Sequence, residues 1–152
     1  MRLALYEPDI PQNTGTILRL AACLGVPVDL IGPAGFDSSD RALRRAGLDY
    51  LEHVELARHA SFAAFEAARR SAGARLLLLS TRGDTVYTSF TFSRADTLLL
   101  GRESAGVPPP VHAAADARLR IPMRAGLRSL NIAVAAAMVL GEALRQTDAL
   151  AS

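Results

Sequence analysis

Hydrophobic positions fall along this chain in two alternating patterns: short unbroken apolar runs, and longer stretches in which apolar residues return every three to four positions. The first run, Arg2 to Tyr6, is stopped by Glu7-Pro8 and Pro11 and reads as a strand followed by a loop. Asn13 opens a helix to about Leu24, with Gly25 as its stop and Ile17, Leu20, Ala21 and Leu24 on one face. Cys23, on the same helix, reads as a small core residue. Pro27 to Ile31 is a second strand, and Ser39 caps a short helix through Arg45 with Gly47 beyond it. Tyr50 to Val54 reads as a third strand, and Ser61 to Ala72 as a helix with Phe62, Phe65 and Ala68 turned inward. Arg75 to Ser80 is a fourth strand, apolar enough to be covered on both faces as parallel sheets are. A polar loop over 81–95 leads to a fifth strand, Asp96 to Leu100, and Ala117 to Ile121 is the sixth. Pro122 breaks that strand, a loop carrying Arg124, Gly126 and Arg128 follows, and Ser129 suits the N-cap of a last helix. From Ile132 to Gly141 this helix has no charged side chain on any face. It is too short to span a bilayer, so its apolar surface calls for burial by protein on all sides.

Strands alternating with helices predict an α/β domain with a six-stranded, mostly parallel sheet. No repeat, low-complexity tract or linker interrupts residues 1–152, so the expectation is one domain without an RNA-binding extension. No 18-residue apolar window occurs, which predicts a cytoplasmic protein with no membrane partner.

Composition changes this picture in one respect. The net charge of +2 is too small to argue for nucleic acid, but all 17 basic residues are arginine. Arginine presents a planar, permanently charged fork suited to phosphate, and an Ala- and Arg-heavy composition also follows from genomic base bias. The lone Cys23 excludes an internal disulfide and a cysteine-cluster metal site. His53, His59 and His112 lack metal-ligand spacing, so no metal is expected.

Familiar nucleotide signatures are missing: no GxGxxG follows the first strand, and there is no GxxxxGK[ST] and no GxSxG. Three segments remain. Asn13-Thr14-Gly15-Thr16-Ile17-Leu18-Arg19 places Arg19 nearly opposite the apolar stripe of its helix. Leu98-Leu99-Leu100-Gly101-Arg102-Glu103-Ser104-Ala105-Gly106-Val107-Pro108 is a strand running into a glycine turn, and ligands favour such carboxyl ends in open α/β sheets. The third is the stretch from Ile121 into the last helix.

In order and wording these segments resemble the SPOUT class of RNA methyltransferases, and most of all its TrmH-type ribose 2′-O-methyltransferases. NTGTILR resembles that family's first motif, LLLGRESAGVP its second and IPMRAGLRSLNIAVAAAM its third. LYEPDIPQNTGTILRL and LRRAGLDYLEHV narrow the resemblance to the minimal TrmL-type enzymes, which methylate the wobble nucleotide of tRNA. The resemblance implies a C-terminal segment threaded into a deep trefoil knot, against the general rule that chains do not thread. It also implies S-adenosylmethionine as methyl donor, tRNA as substrate and a homodimer whose RNA site draws on both chains.

By motif, Leu79, Gly101, Ile121, Ser129 and Leu130 would surround the donor, with Gly106 allowing close approach and Glu103 holding the loop or facing the donor's amine. Arg19 matches the catalytic arginine. A guanidinium with a pKa above about 12 is a poor base, so Arg19 is read as gripping a phosphate and stabilising the nascent alkoxide. Asn13, Arg41, Arg44, Arg45, Arg102 and Arg128 are the candidate RNA contacts, with Arg82 and Arg124 in nearby loops. Tyr6, Tyr50, Tyr87, Phe90 and Phe92 are candidates for stacking on a base. One departure concerns Gly141, which stands where related enzymes carry a tyrosine. The expected reaction is methyl transfer to the 2′-OH of the wobble cytidine or modified uridine. The alternatives are the same chemistry at another tRNA or rRNA position, or a non-catalytic RNA-binding module.

Overall fold

A computed structural model describes residues 1–45 and 49–150. The chain runs β1 (Arg2–Tyr6), α1 (Pro11–Leu24), β2 (Val28–Ile31), α2 (Asp40–Arg45), β3 (Leu56–His59) and α3 (Phe62–Ser71). It continues β4 (Leu76–Leu79), β5 (Thr85–Val86), β6 (Thr97–Leu100), α4 (Pro109–Ala114), β7 (Ala117–Arg120) and α5 (Ile132–Gln146). The strands form one seven-stranded sheet in the order β3-β2-β1-β6-β4-β7-β5, and every pairing is parallel.

The leucine runs follow from this architecture. Leu3, Leu5, Leu77, Leu98 and Leu100 face one side, where α1 and α5 contribute Ile17, Leu18, Ala21, Ala136, Val139 and Leu140. Ala4, Tyr6, Leu76, Leu78 and Leu99 face the other, against Phe65 of α3 and Val111 of α4. With helices on both faces, neither alternate position of a central strand meets water, so the runs carry no polar residue. Each such leucine stabilises the fold by about 1.5–3 kcal/mol through burial.

The sheet has seven strands where six were expected. The added one, β5, is a two-residue edge strand inside the stretch read as a polar loop, too short to carry a pattern. The third strand is displaced: Tyr50–Val54 gives way to a 3-10 turn at Leu51–His53, and Leu56–His59 pairs with β2 instead. As an edge strand it has three partly buried residues and an exposed Arg58, so its apolar signal is weak. Helix α1 starts at Pro11, before Asn13, because proline's missing N–H falls where a helix leaves its first donors free. Cys23 is exposed, about 200° round the helix from buried Ala21. On α3, Phe65 is buried and Phe62 partly so, while Ala68 is exposed. Gly47, expected to follow α2, lies outside the described residues.

The largest correction concerns α5. Ala133, Ala136, Val139, Leu140 and Ala143 are buried, but Val134 is 50% exposed and Met138 39%. Leu127, Leu130 and Leu150 in the last quarter of the chain, and Ile10 near its start, are likewise open toward solvent. A single copy therefore buries one side of the helix and leaves the other uncovered. Among the described residues, no helix is long and apolar enough to cross a membrane.

Candidate active site

Where β4, β6 and β7 end, the chain turns away from the sheet in three loops, and a cleft of about 550 Å³ opens between them. Leu78, Leu79, Leu100, Ile121 and Ile132 give it apolar walls, and Ser80, Thr81, Glu103, Ser129 and Asn131 give it polar ones. Of the residues expected to hold a donor, Leu79, Gly101, Glu103, Gly106, Ile121, Ser129 and Leu130 all line this cleft. The size falls in the range of small-molecule sites, and the position is the one that open parallel sheets give to ligands.

The loop after β6 is held from several sides. Arg102 and Gly106 exchange backbone hydrogen bonds, Arg102 N–H to Gly106 O at 2.9 Å and Gly106 N–H to Arg102 O at 2.7 Å. Gly106 has φ +66°, open to glycine without strain. A Cβ on Gly101 would lie 2.9 Å from the Gly106 carbonyl carbon, so only glycine lets the two sides of the turn meet. The Arg102 guanidinium donates from Nε to the carbonyl of Glu7 and from an Nη to its carboxylate, both at 3.0 Å. Glu7 itself sits at φ +39°, a conformation costly for a residue with a side chain, and Arg102 is the group that pins it. Arg102 thus has its charge engaged within the chain.

Glu103 acts as a second pin. Its carboxylate accepts from the Asp9 backbone N–H at 3.1 Å and from the Asn13 amide at 3.5 Å. Ser104 donates its hydroxyl to the Asp9 carboxylate, and this bond above all holds Asp9 below the usual carboxylate range. Asn13 in turn accepts from the Asn131 amide at 3.0 Å, so both ends of its side chain are occupied. Asn131 caps α5, accepting from the N–H groups of Ala133 (2.9 Å) and Val134 (3.4 Å). The cap expected at Ser129 therefore sits two residues later, leaving Ser129 on the cleft wall. The chain Glu103–Asn13–Asn131 ties the loop after β6, the start of α1 and the start of α5 into one unit.

Arg19 stands elsewhere. It is exposed on α1 and is not among the residues that line the cleft. Its guanidinium lies 4.6 Å from the centre of the Tyr50 ring and donates to the Tyr50 hydroxyl at 3.3 Å. Arg41, Arg44 and Arg45 are exposed on α2, with Arg44 paired to Glu52 at 2.8 Å. Arg128 and Arg124 are exposed in the loop before α5, and Arg82 reaches the cleft. Two stacking candidates are unavailable: Tyr6 and Phe92 are buried in the core.

Sequence reasoning missed Ile10, Ser80, Thr81, His112 and Met123 as lining residues. Ser80 and Thr81 follow β4 directly, so the carboxyl-end rule could have found them. Ile10 and Met123 carry no chemical signal. Among the described residues, no three His, Cys, Asp or Glu side chains come together as a metal site.

Fold and cleft together define an α/β protein of the ligand-binding kind, its site built beyond the carboxyl ends of parallel strands. Residues 1–141 match the SpoU rRNA Methylase family, and the chain belongs to it. A tRNA (cytidine(34)-2'-O)-methyltransferase of Beijerinckia indica subsp. indica is 66% identical over 149 residues, covering 98% of this chain and 93% of the relative. A solved structure described as giving structural insights into the 2-OH methylation of C/U34 on tRNA superposes with a TM-score of 0.88 at 48% identity, covering 95% of this chain and 94% of that one. The SpoU methyltransferase AviRb from Streptomyces viridochromogenes, solved in complex with AdoMet, gives a TM-score of 0.83 at 32% identity, covering 96% of this chain and 57% of that one.

Proposed function

We propose that this protein is an S-adenosylmethionine-dependent methyltransferase acting on the 2′-OH of the wobble nucleotide of tRNA, cytidine 34 in the first place. The observation that carries the reading is the cleft at the ends of β4, β6 and β7, lined by all seven residues expected to hold the donor. Its apolar walls suit an adenine ring, and its polar rim suits a ribose and an amino acid. The relatives named above act on that nucleotide or, for AviRb, hold that donor. In this reading residues 1–152 work as one methyltransferase unit in the cytoplasm, and the stretch from Ile121 into α5 is the threaded part of a trefoil knot.

The donor supplies an activated methyl group on a positively charged sulfur. Leu79, Gly101, Gly106, Ile121, Ser129 and Leu130 would hold it, and Glu103 keeps the loop after β6 in place through Asp9 and Asn13. A ribose hydroxyl is a weak acid, so the remaining task is to align its oxygen and stabilise the charge that grows there. Arg19 performs it, binding the neighbouring phosphate and the nascent alkoxide while the proton leaves to phosphate or water. Because Arg19 lies outside the cleft of its own chain, the reading pairs it with the cleft of a second copy. The uncovered residues Leu127, Leu130, Val134 and Met138 form the surface on which that homodimer assembles. Arg41, Arg44, Arg45 and Arg128 then follow the RNA backbone. Asn13, with both amide ends engaged, shapes the site instead of meeting RNA.

Incubation with labelled donor and either total tRNA or rRNA tests the reading. Label in tRNA ribose supports it. Label confined to rRNA moves the site to another substrate, and donor binding without transfer to either RNA leaves a binding module.

A further inference from the structure

The surroundings of Arg19 contain one partner that its expected role does not explain. Arginine has a long, flexible side chain, and an exposed one samples many rotamers unless something holds it. Arg19 is exposed on the outer face of α1, nearly opposite buried Ile17 and Ala21. Its guanidinium is nonetheless placed over the Tyr50 ring at 4.6 Å and within reach of the phenol oxygen at 3.3 Å. Tyr50 is itself fixed. Its carbonyl accepts from His53 N–H at 2.9 Å, closing the 3-10 turn, and the next residue, Leu51, is buried in the core. Glu52 in that turn is paired with Arg44 at 2.8 Å, which ties the turn to α2. One Nη is spent on the phenol oxygen, and the guanidinium's remaining N–H groups stay available for a phosphate or an alkoxide.

We propose that Tyr50 is the positioning residue of the reaction: its ring is the platform that holds the Arg19 guanidinium ready for the ribose and its phosphate. This rests on the reading of Arg19 given above and adds the residue that sets its geometry. Tyr50 also has the form of a base-stacking side chain, and the two roles give opposite kinetics. A platform for Arg19 changes the rate of methyl transfer on bound tRNA. A stacking contact changes the affinity for tRNA.

Single-turnover methylation, with enzyme in excess and tRNA varied, separates them. Tyr50→Leu is expected to lower the rate at saturating tRNA about two- to fivefold, the span of one exposed cation–π contact. The dissociation constants for tRNA and S-adenosylmethionine, the latter by calorimetry, stay at their wild-type values. Tyr50→Phe keeps the ring face and restores most of the lost rate. Tyr50→Leu combined with Arg19→Gln is no slower than Arg19→Gln alone, because the ring then has no cation to hold. Tyr50→Gln is the second truncation, used if the leucine variant does not bind the donor and so has not folded. Weaker tRNA binding with an unchanged saturating rate would overturn the proposal in favour of base stacking. Additive loss in the double variant would overturn it as well. Wild-type rates for Arg19→Ala would instead remove the catalytic reading of Arg19, and the platform with it.

Discussion

Asn131 donates its amide to the amide oxygen of Asn13 at 3.0 Å while its own oxygen caps α5. One side chain thereby fixes the start of the last helix and fastens it to the start of the first. The two functions separate by substitution. Asn131→Ala loses cap and link, and is expected to lower unfolding free energy by about 1 kcal/mol, read by urea denaturation. Asn131→Ser keeps a capping oxygen and recovers most of that stability. Both lose the link to Asn13, so both weaken S-adenosylmethionine binding in calorimetry.

Gly101 and Gly106 meet back to back, and a methyl group at 101 would lie 2.9 Å from backbone atoms that have no flexible end to move. Gly101→Ala is therefore expected to displace the loop after β6, lowering donor affinity about tenfold or more while the far side of the sheet stays intact. Calorimetry with circular dichroism as the folding control checks this.

What was legible in the sequence is what the sheet buries on both sides. Leu76–Leu79 and Thr97–Leu100 announce themselves because every position but Leu79, which lines the cleft, is buried, and the glycine turn after the second marks the cleft. Leu56–His59 and Thr85–Val86 did not, since edge strands need no continuous apolar run. The cap at Ser129 and the true cap at Asn131 are equally good capping residues, and only the link to Asn13 distinguishes them. The apolar surround of α5 was visible, but local pattern does not separate burial within one chain from burial between two. Arg19 could be placed on the open face of its helix; its stacking on Tyr50 joins positions 31 residues apart and lies beyond any local pattern.

Glu66 illustrates the pH dependence built into the fold. It receives Arg69 at 2.6 and 2.8 Å and Arg70 at 2.7 Å, and the bond to Arg69 does most to hold its carboxyl below the usual glutamate range. A lowered folded-state pKa means that the stabilisation is complete above the unfolded value and is lost as pH falls through the folded one. Glu66→Gln is expected to cost about 1–3 kcal/mol at pH 7 and to flatten the acid limb below pH 4.5, seen in urea melts across that range.

If a second copy's Arg19 completes each cleft, two inactive variants can restore one another. Arg19→Ala lacks the arginine and keeps the cleft; Gly101→Val keeps the arginine and lacks the cleft. Mixed, refolded dimers are expected to recover about half of wild-type turnover per mixed dimer, following the statistics of one intact site in each. Recovery absent in verified mixed dimers would place Arg19 and the cleft in one chain.

The central claim is methyl transfer to a single ribose. Mass-spectrometric mapping of tRNA after incubation with isotopically labelled S-adenosylmethionine tests it directly. The heavy methyl is expected on the 2′-oxygen of nucleotide 34, and is lost with Arg19→Ala while that variant still binds donor. A methyl on a base, on a ribose elsewhere in the tRNA, or on no nucleotide at all would contradict it.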